Sequence, residues 1–459
     1  MAPREALIDR FPPGTTVGAS GALEIGGCDT ITLADRFGTP AFVVDEKALR
    51  AQAARFRDGL ARRRPGSRVV FASKAYPSVA VLRVFAQEGL GCDVVGRGEL
   101  EIAMAAGMDP ALVMMHGNAK TDDDIAAALR HGIGTVVVDG FDDLERLERL
   151  AGLERPAGDP QGVLIRVIPG VEAATHEKIL TGHDDSKFGL SLADAAVAIE
   201  RAGRSPWLRL DGLHVHVGSQ ILDLDPFAQA VEAVSALGTF AVYDVGGGLG
   251  VAYAPGDQAP SVEAYLDATV AAAQRCLPPD ATLIIEPGRS LVAEAGVTLY
   301  RVVTVKRSSG AKTFVAVDGG MGDNLEAMFY DVRFAATIAD RLGEGGEEVD
   351  LVGRHCESGD VLITGVALRE PRVGDVVAVP VTGAYCFTMA NNYNGALRPP
   401  VVFVADGTAT EVVRRETYAD LMVRELTPAA DRPADPQADP REDRSEQVRP
   451  APAGPSPIV

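Results

Sequence analysis

The sequence predicts an α/β protein: a (β/α)8 barrel of the TIM type joined to a C-terminal β-rich domain of barrel or sandwich character. Three observations predict it. Eight short apolar runs alternate with helix-like stretches between about residues 41 and 295. Hydrophobic residues make up 46% of the 459-residue chain but aromatics only 5%, which suits small side chains packed between helices and a parallel sheet. Beyond about Gly296 the pattern changes to β-rich runs separated by Gly and Pro turns.

The eight runs are VVFAS (69–73), CDVVG (92–96), LVMMH (112–116), TVVVD (135–139), LIRVI (164–168), LHVHV (213–217), YDVGG (243–247) and LIIEP (283–287). Stretches such as ALRAQAARFRDGLARR (48–63), GELEIAMAAGM (98–108) and DDDIAAALRHG (122–132) carry the apolar spacing of helices. The same alternation allows an open doubly wound sheet, but a count of eight favours closure. The β-rich part contains VTLYRVVTVKRSSG, KTFVAVDGG, VDLVG, DVVAVPVTG and PPVVFVADGTATEVVRRE. Leu23–Val44 also has strand character and is expected to join that domain. The expected boundaries are 1–40 for this N-terminal segment, 41–295 for the barrel, 296–426 for the β domain and 427–459 for a tail. The tail is rich in Pro, Asp and Arg. It buries too little apolar surface to offset its ordering entropy and is expected to be disordered.

The net charge of −20 argues against nucleic acid as a partner, because phosphate backbones are met by basic surfaces. Cys28, Cys92, Cys276, Cys356 and Cys386 are scattered, odd in number and without a CxxC pair. That pattern fits neither a disulfide framework nor a zinc centre, and no metal is expected. The N-terminus has no apolar signal region and no run is long enough to span a bilayer, so a cytoplasmic address without membrane association is expected.

Barrel enzymes carry their chemistry at the C-terminal ends of the strands. Lys74 stands at the end of the first run, in FASKAYPS. A lysine there is costly unless it is paired or used covalently, although many such lysines extend to solvent. Asp93 lies in GCDVVGRGEL. His214 and His216 alternate in LHVHVGSQ, on one side of a strand, and Ser219 follows. Gly246, Gly247 and Gly248 in DVGGGLG let backbone N–H groups approach a phosphate closely. EPGRS adds Glu286, Gly288 and Arg289. These two glycine loops follow the seventh and eighth runs, where barrels commonly bind phosphate. The β-rich part contributes GRHCESGD, with Cys356, Glu357 and Ser358, and GAYCFTMANNYN, with Tyr385. Walker-type phosphate loops, HExxH and GxSxG are missing, which removes support for nucleotide, zinc-protease and serine-hydrolase readings.

In order along the chain, FASKAYPS, GCDVVGRGEL, HVHVGSQ, DVGGGLG, EPGRS, HCESGD and GAYCFTMANNYN resemble the motif blocks of the ornithine/arginine/diaminopimelate decarboxylases, on the diaminopimelate side of that family. The resemblance runs over roughly residues 20–420 and implies a pyridoxal 5'-phosphate (PLP) enzyme built as a cofactor-binding barrel with a C-terminal β domain. It implies that Lys74 forms the Schiff base with the cofactor and that His216 stacks on its ring. Glu286 would face the ring nitrogen. Ser219, Gly246, Gly247, Gly248, Gly288 and Arg289 would hold the phosphate, with Asp93 and Tyr385 close to the cofactor. It further implies a homodimer with shared sites, in which Cys356 acts near Cα and Glu357 binds the distal ammonium of the substrate. Ser358 and Tyr330 would also line the substrate pocket. Meso-diaminopimelate, converted to lysine and CO2, is the substrate implied. A decarboxylase for a different amino acid and a non-catalytic binding relative are the alternatives.

Two positions depart from the family pattern. An arginine that helps clamp the distal carboxylate is usual where this chain has Glu326, in GGMGDNLEAMFY. Either Glu326 turns outward while Arg289 or Arg333 takes over the clamp, or the substrate lacks that carboxylate. Tyr76 replaces a common asparagine and is expected to concern packing.

Overall fold

The computed structural model describes residues 7–154, 158–171, 186–309, 312–342 and 346–426. Residues 1–416 form one compact unit and 417–459 a second. The second contains a short helix, Tyr418–Met422, started by a capping box between Thr417 and Asp420. The predicted tail, 427–459, lies outside the described residues.

Eight parallel strands close into a barrel in chain order: Arg68–Ala72, Gly91–Val94, Val113–Met115, Thr135–Val138, Gln161–Val167, Leu208–Val215, Val242–Asp244 and Thr282–Ile285. Each corresponds to one of the eight apolar runs. The runs read as near-continuous apolar segments because both faces of a closed parallel sheet are covered. The helices between them have short polar stops. Glu46–Arg63 begins at Asp45, which accepts the Ala48 N–H, and ends on Arg62 and Arg63. Asp122–His131 begins with a Thr121/Asp124 capping box and ends at Gly132 in the left-handed region. Arg97–Ala106 ends the same way at Gly107.

The second body is a nine-stranded sheet. Its path runs Val361–Leu368, Glu347–Val352, Thr313–Val317, Gly296–Arg307, Ala41–Asp45, Val401–Ala405 and Thr408–Val413. Val376–Pro380 pairs with both Gly296–Arg307 and Thr337–Ile338. Gly296–Arg307 is long enough to hold three partners: its first half pairs with Ala41–Asp45 and Val376–Pro380, and its second half with Thr313–Val317. The strand VLITGVAL (361–368) was not among the sequence-predicted runs. A Gly–Thr pair interrupts its alternation, and Gly365 takes a positive φ of 68° there. Leu23–Ile25 forms a small antiparallel sheet with two short neighbours. Leu23 and Ile25 are buried in one cluster with Val43, Val297, Val376 and Val402 of the large sheet. Among the described residues, no helix is long and apolar enough to cross a membrane.

Candidate active site

Inside the barrel, side chains follow the period of two. Val70, Met114, Val137, Leu164 and Ile284 form an apolar cluster. Two residues further along the same strands stand Ala72, His116, Asp139, Arg166 and Glu286. The last four of these are buried, as are Asp93, His214 and Asp244 on the remaining strands. The barrel is therefore filled by hydrocarbon below and by a charged layer at its C-terminal mouth. Burial of so many ionisable groups is tolerated because they face one another.

Glu286 is the centre of this layer. Its Oε1 lies 2.7 Å from His116 Nε2 and its Oε2 3.2 Å from His214 Nε2. Burial works against ionisation of Glu286, but the two histidines outweigh it and hold the carboxyl well below its usual range. Burial pulls His214 down to about 3. Burial, reinforced by Glu286, raises Asp93 to about 7 and Asp244 well above the usual carboxylate range. Glu286 thus carries the fixed negative charge, while its carboxylate neighbours are held closer to neutrality. Donor atoms of His116, His214, Asp244 and Glu286 fall within 4.8 Å of one another. Mutual pairing already accounts for the closest of these approaches.

Lys74 does not end a strand; it occupies a single 3-10 turn, Ser73–Ala75, just past Ala72. The turn is held from both sides. Ser73 donates its N–H to Asp93 at 3.2 Å and its hydroxyl to Glu99 at 3.2 Å. Tyr385 donates its N–H to the Ala75 carbonyl at 2.8 Å. Lys74 is exposed to water yet ringed by Tyr385, Asp93 and Glu286, as a side chain standing in an open cavity must be. Burial lowers its pKa, but these three groups outweigh it and leave it raised. Tyr76, the residue departing from the family pattern, is buried and stacks on Phe387 with centroids 4.8 Å apart. It packs, as expected.

Three glycine-bearing loops meet beside Lys74. A Cβ on Gly246 would stand 2.5 Å from the Val215 carbonyl oxygen, one on Gly247 1.9 Å from that of Glu286, and one on Gly248 2.3 Å from that of Gly218. Only glycine fits such approaches. The Gly247 N–H points to His216 Nδ1 at 3.2 Å. Ile221 and Gly248 join the loop carrying His216 and Ser219 to the glycine loop, N to O at 2.9 Å. Gly288 packs against Ala72 and Ala75, next to the Lys74 turn. His216 lies one residue past the end of its strand, whereas His214 lies within it.

Arg289 is buried, with its guanidinium carbon 4.6 Å from the centroid of the Tyr385 ring. Its Nη1 donates to Glu326 Oε1 at 2.8 Å and to Oε2 at 3.1 Å. It also contacts the Tyr253 hydroxyl, which lies 3.3 Å from Glu326 Oε2. Burial raises the Glu326 pKa, with Arg289 opposing. The outward orientation considered for Glu326 is therefore incorrect: it is fully buried and pairs with Arg289. Arg333, the other clamp considered, is exposed. Removing a buried carboxylate from its guanidinium would leave an uncompensated charge, so the inward position is the low-energy one. Tyr330 is half-buried on the same segment, edge-on to Phe329.

Cys356, Glu357 and Ser358 are exposed on a turn of the β domain. Asp360 accepts N–H groups from His355 and Met321, and His355 Nε2 accepts that of Gly322. These bonds tie the turn to the loop that leads into Glu326. Cys356 N–H is held by Asn394 Oδ1 at 2.8 Å, and Ser358 leans on Glu357. The structure thus gathers Lys74, Asp93, His216, the glycines, Glu286, Arg289 and Tyr385 at the barrel mouth, and leaves the three residues of this turn facing solvent. All five cysteines are free.

His116, Asp139, Arg166, Asp244 and Tyr253 were not singled out in the sequence. The first four share a readable signal: each is a polar residue within or ending an apolar run, two positions after a core residue or its equivalent. Arg166 and Asp139 approach to 3.7 Å. Tyr253 has no such signal, since it lies in a loop and only folding brings it to Arg289.

Residues 46–293 match the model of the pyridoxal binding domain of pyridoxal-dependent decarboxylases. A diaminopimelate decarboxylase of Actinosynnema pretiosum subsp. auranticum is 46% identical over 428 residues, covering 91% of this chain and 95% of that protein. One from Bacillus subtilis (strain 168) is 41% identical, covering 88% and 95%. The chain belongs to the diaminopimelate decarboxylase family. Among solved structures, a diaminopimelate decarboxylase from M. jannaschii in co-complex with L-lysine superposes with a TM-score of 0.84 at 31% identity, covering 91% of this chain and 98% of that one. Members of this family are PLP-dependent carboxy-lyases, and the site fits that cofactor on its own geometry. An exposed lysine, a carboxyl whose ionised form two histidines favour, and a glycine loop too tight for any Cβ all lie at the mouth of the barrel.

Proposed function

We propose that this chain decarboxylates meso-diaminopimelate to lysine and CO2 with PLP bound at Lys74. The observation that carries the reading is Glu286, an ionised carboxylate buried between His116 and His214 beside the Lys74 turn. When bound, the cofactor supplies an electron sink for the pair left behind as CO2 departs, and it does so best with its ring nitrogen protonated. Glu286, favoured in its ionised form by His116 and His214, would face that nitrogen and hold the proton there. His216, oriented by the Gly247 N–H, would pack against the ring. Asp93 remains next to the Lys74 amine. Ser219, Gly246, Gly247, Gly248 and Gly288 would hold the phosphate, while Arg289, its charge matched by Glu326 and its guanidinium stacked on Tyr385, would serve the substrate side instead of the phosphate.

Exposure of Cys356, Glu357 and Ser358 supports a homodimer in which this turn completes the site of a second copy. There Cys356 delivers a proton to Cα, while Glu357 binds the distal ammonium, with Ser358 and Tyr330 alongside. The same reading carries a cytoplasmic address, in line with a biosynthetic enzyme that has no use for a membrane.

The test is Lys74→Ala. The purified protein should lose the visible absorbance of lysine-bound cofactor and release no CO2 from diaminopimelate, with its melting temperature kept. A variant retaining both absorbance and turnover would sink the assignment.

A further inference from the structure

On the proposed reading Arg289 would face the distal end of the substrate, and this chain supplies its counter-ion. Glu326 is fully buried, with both carboxylate oxygens on Arg289 Nη1 at 2.8 and 3.1 Å. The Tyr253 hydroxyl donates to Glu326 Oε2 and accepts from the same Arg289 Nη1. The guanidinium is stacked on Tyr385, whose backbone is fastened to Ala75. The group is therefore held in place on three sides and its charge is already matched.

A substrate carboxylate brought to this guanidinium would meet a second carboxylate on one cation in a desolvated pocket. Such pairs are unfavourable, because like charges in low dielectric repel and neither has water to screen it. An uncharged carbonyl meets no such penalty. Arg289 Nε, buried and without a partner among the described residues, is a donor left for it.

We infer that Glu326 is a specificity-determining residue that makes the pocket prefer an amino acid whose distal carbonyl is uncharged, an amide or ester, over the free distal carboxylate. This rests on the reading of the chain as a decarboxylase of this family and narrows its substrate class. Diaminopimelate is then tolerated without the clamp that a positive charge at position 326 would add.

The experiment uses the product end, which retains the distal group. Binding of L-lysine and of L-lysinamide to the cofactor-loaded wild type, Glu326→Gln and Glu326→Arg is measured by calorimetry. CO2 release is followed in parallel from diaminopimelate and from its distal monoamide. Wild type should bind lysinamide at least about tenfold tighter than lysine, the penalty of one misplaced charge in a buried site. Glu326→Gln, nearly isosteric, should erase the difference, and Glu326→Arg should reverse it. Tighter binding of lysine by wild type, no binding of either ligand, or an unchanged preference in Glu326→Arg with its melting temperature intact would each overturn the inference. CO2 release bears separately on the reaction: binding preferences as expected without CO2 from either substrate would remove the proposed function and leave the role of Glu326 standing.

Discussion

The backbone N–H of Tyr385 bonds to the carbonyl of Ala75 at 2.8 Å, which fastens the β domain to the turn that carries Lys74. Tyr385 adopts φ 62°, ψ −23° to make this contact. A bulky residue at positive φ is strained, by about 1–3 kcal/mol, and persists where surrounding contacts enforce it. Here the ring lies against Arg289 and the chain continues into the short helix Cys386–Met389. Lys74 and Arg289 are thereby positioned by one residue from outside the barrel.

Glu286→Gln keeps the size of the side chain and removes its charge. Proton retention on the ring nitrogen should weaken, and kcat should fall by about a hundredfold or more. Cofactor absorbance should persist. An unchanged kcat would mean that Glu286 does not face the ring nitrogen.

Gly247→Ala sets a methyl group 1.9 Å from the Glu286 carbonyl oxygen. Neither backbone can yield without moving the glycine loop. The variant should lose about 1–3 kcal/mol of stability and bind PLP several-fold more weakly, as read by thermal melting and cofactor titration. Normal stability and affinity would show that the loop relaxes freely.

Asp323 is buried and bonded by the Tyr300 hydroxyl, and burial raises its pKa from 3.8 to about 7. A carboxyl whose folded pKa is raised binds its proton more tightly when folded, so its contribution is full below about pH 4 and is lost as pH rises through about 7. Stability should therefore decline between about pH 4 and pH 7. Asp323→Asn, which keeps the acceptor for Gly320 N–H, should flatten that slope in a series of melting curves.

If sites are shared between two copies, Lys74→Ala and Cys356→Ala fail for different reasons. Mixing the two inactive variants, with subunit exchange, should restore up to about a quarter of wild-type activity, because half of the dimers are mixed and each holds one intact site. No recovery after demonstrated exchange would place Cys356 in the site of its own chain or outside the chemistry altogether.

Much of this architecture was legible in one dimension. The eight barrel strands follow the apolar runs because a parallel sheet covered on both faces demands continuous hydrophobicity. The lysine, the histidine pair and the glycine loops stood out because such residues are costly or conspicuous at strand ends. The strand Val361–Leu368 was missed because a glycine and a threonine interrupt its pattern. His116, Asp139, Arg166 and Asp244 passed as ordinary polar residues at or near strand ends, since their meaning depends on all facing one interior.

Glu326 marks the boundary between the two kinds of information. Its identity and its departure from the expected arginine are properties of the chain. Its partner is not, for Arg289 lies 37 positions away and Tyr253 lies 73. Whether a lone carboxylate points to water or inward is decided by what the fold places opposite it, because burial of a charge is affordable only against a counter-charge. Local pattern and motif order thus determined the barrel, the place of Lys74 at its mouth and the class of chemistry. Closure of the barrel, and the seating of the β domain over its mouth, decided which charges meet there.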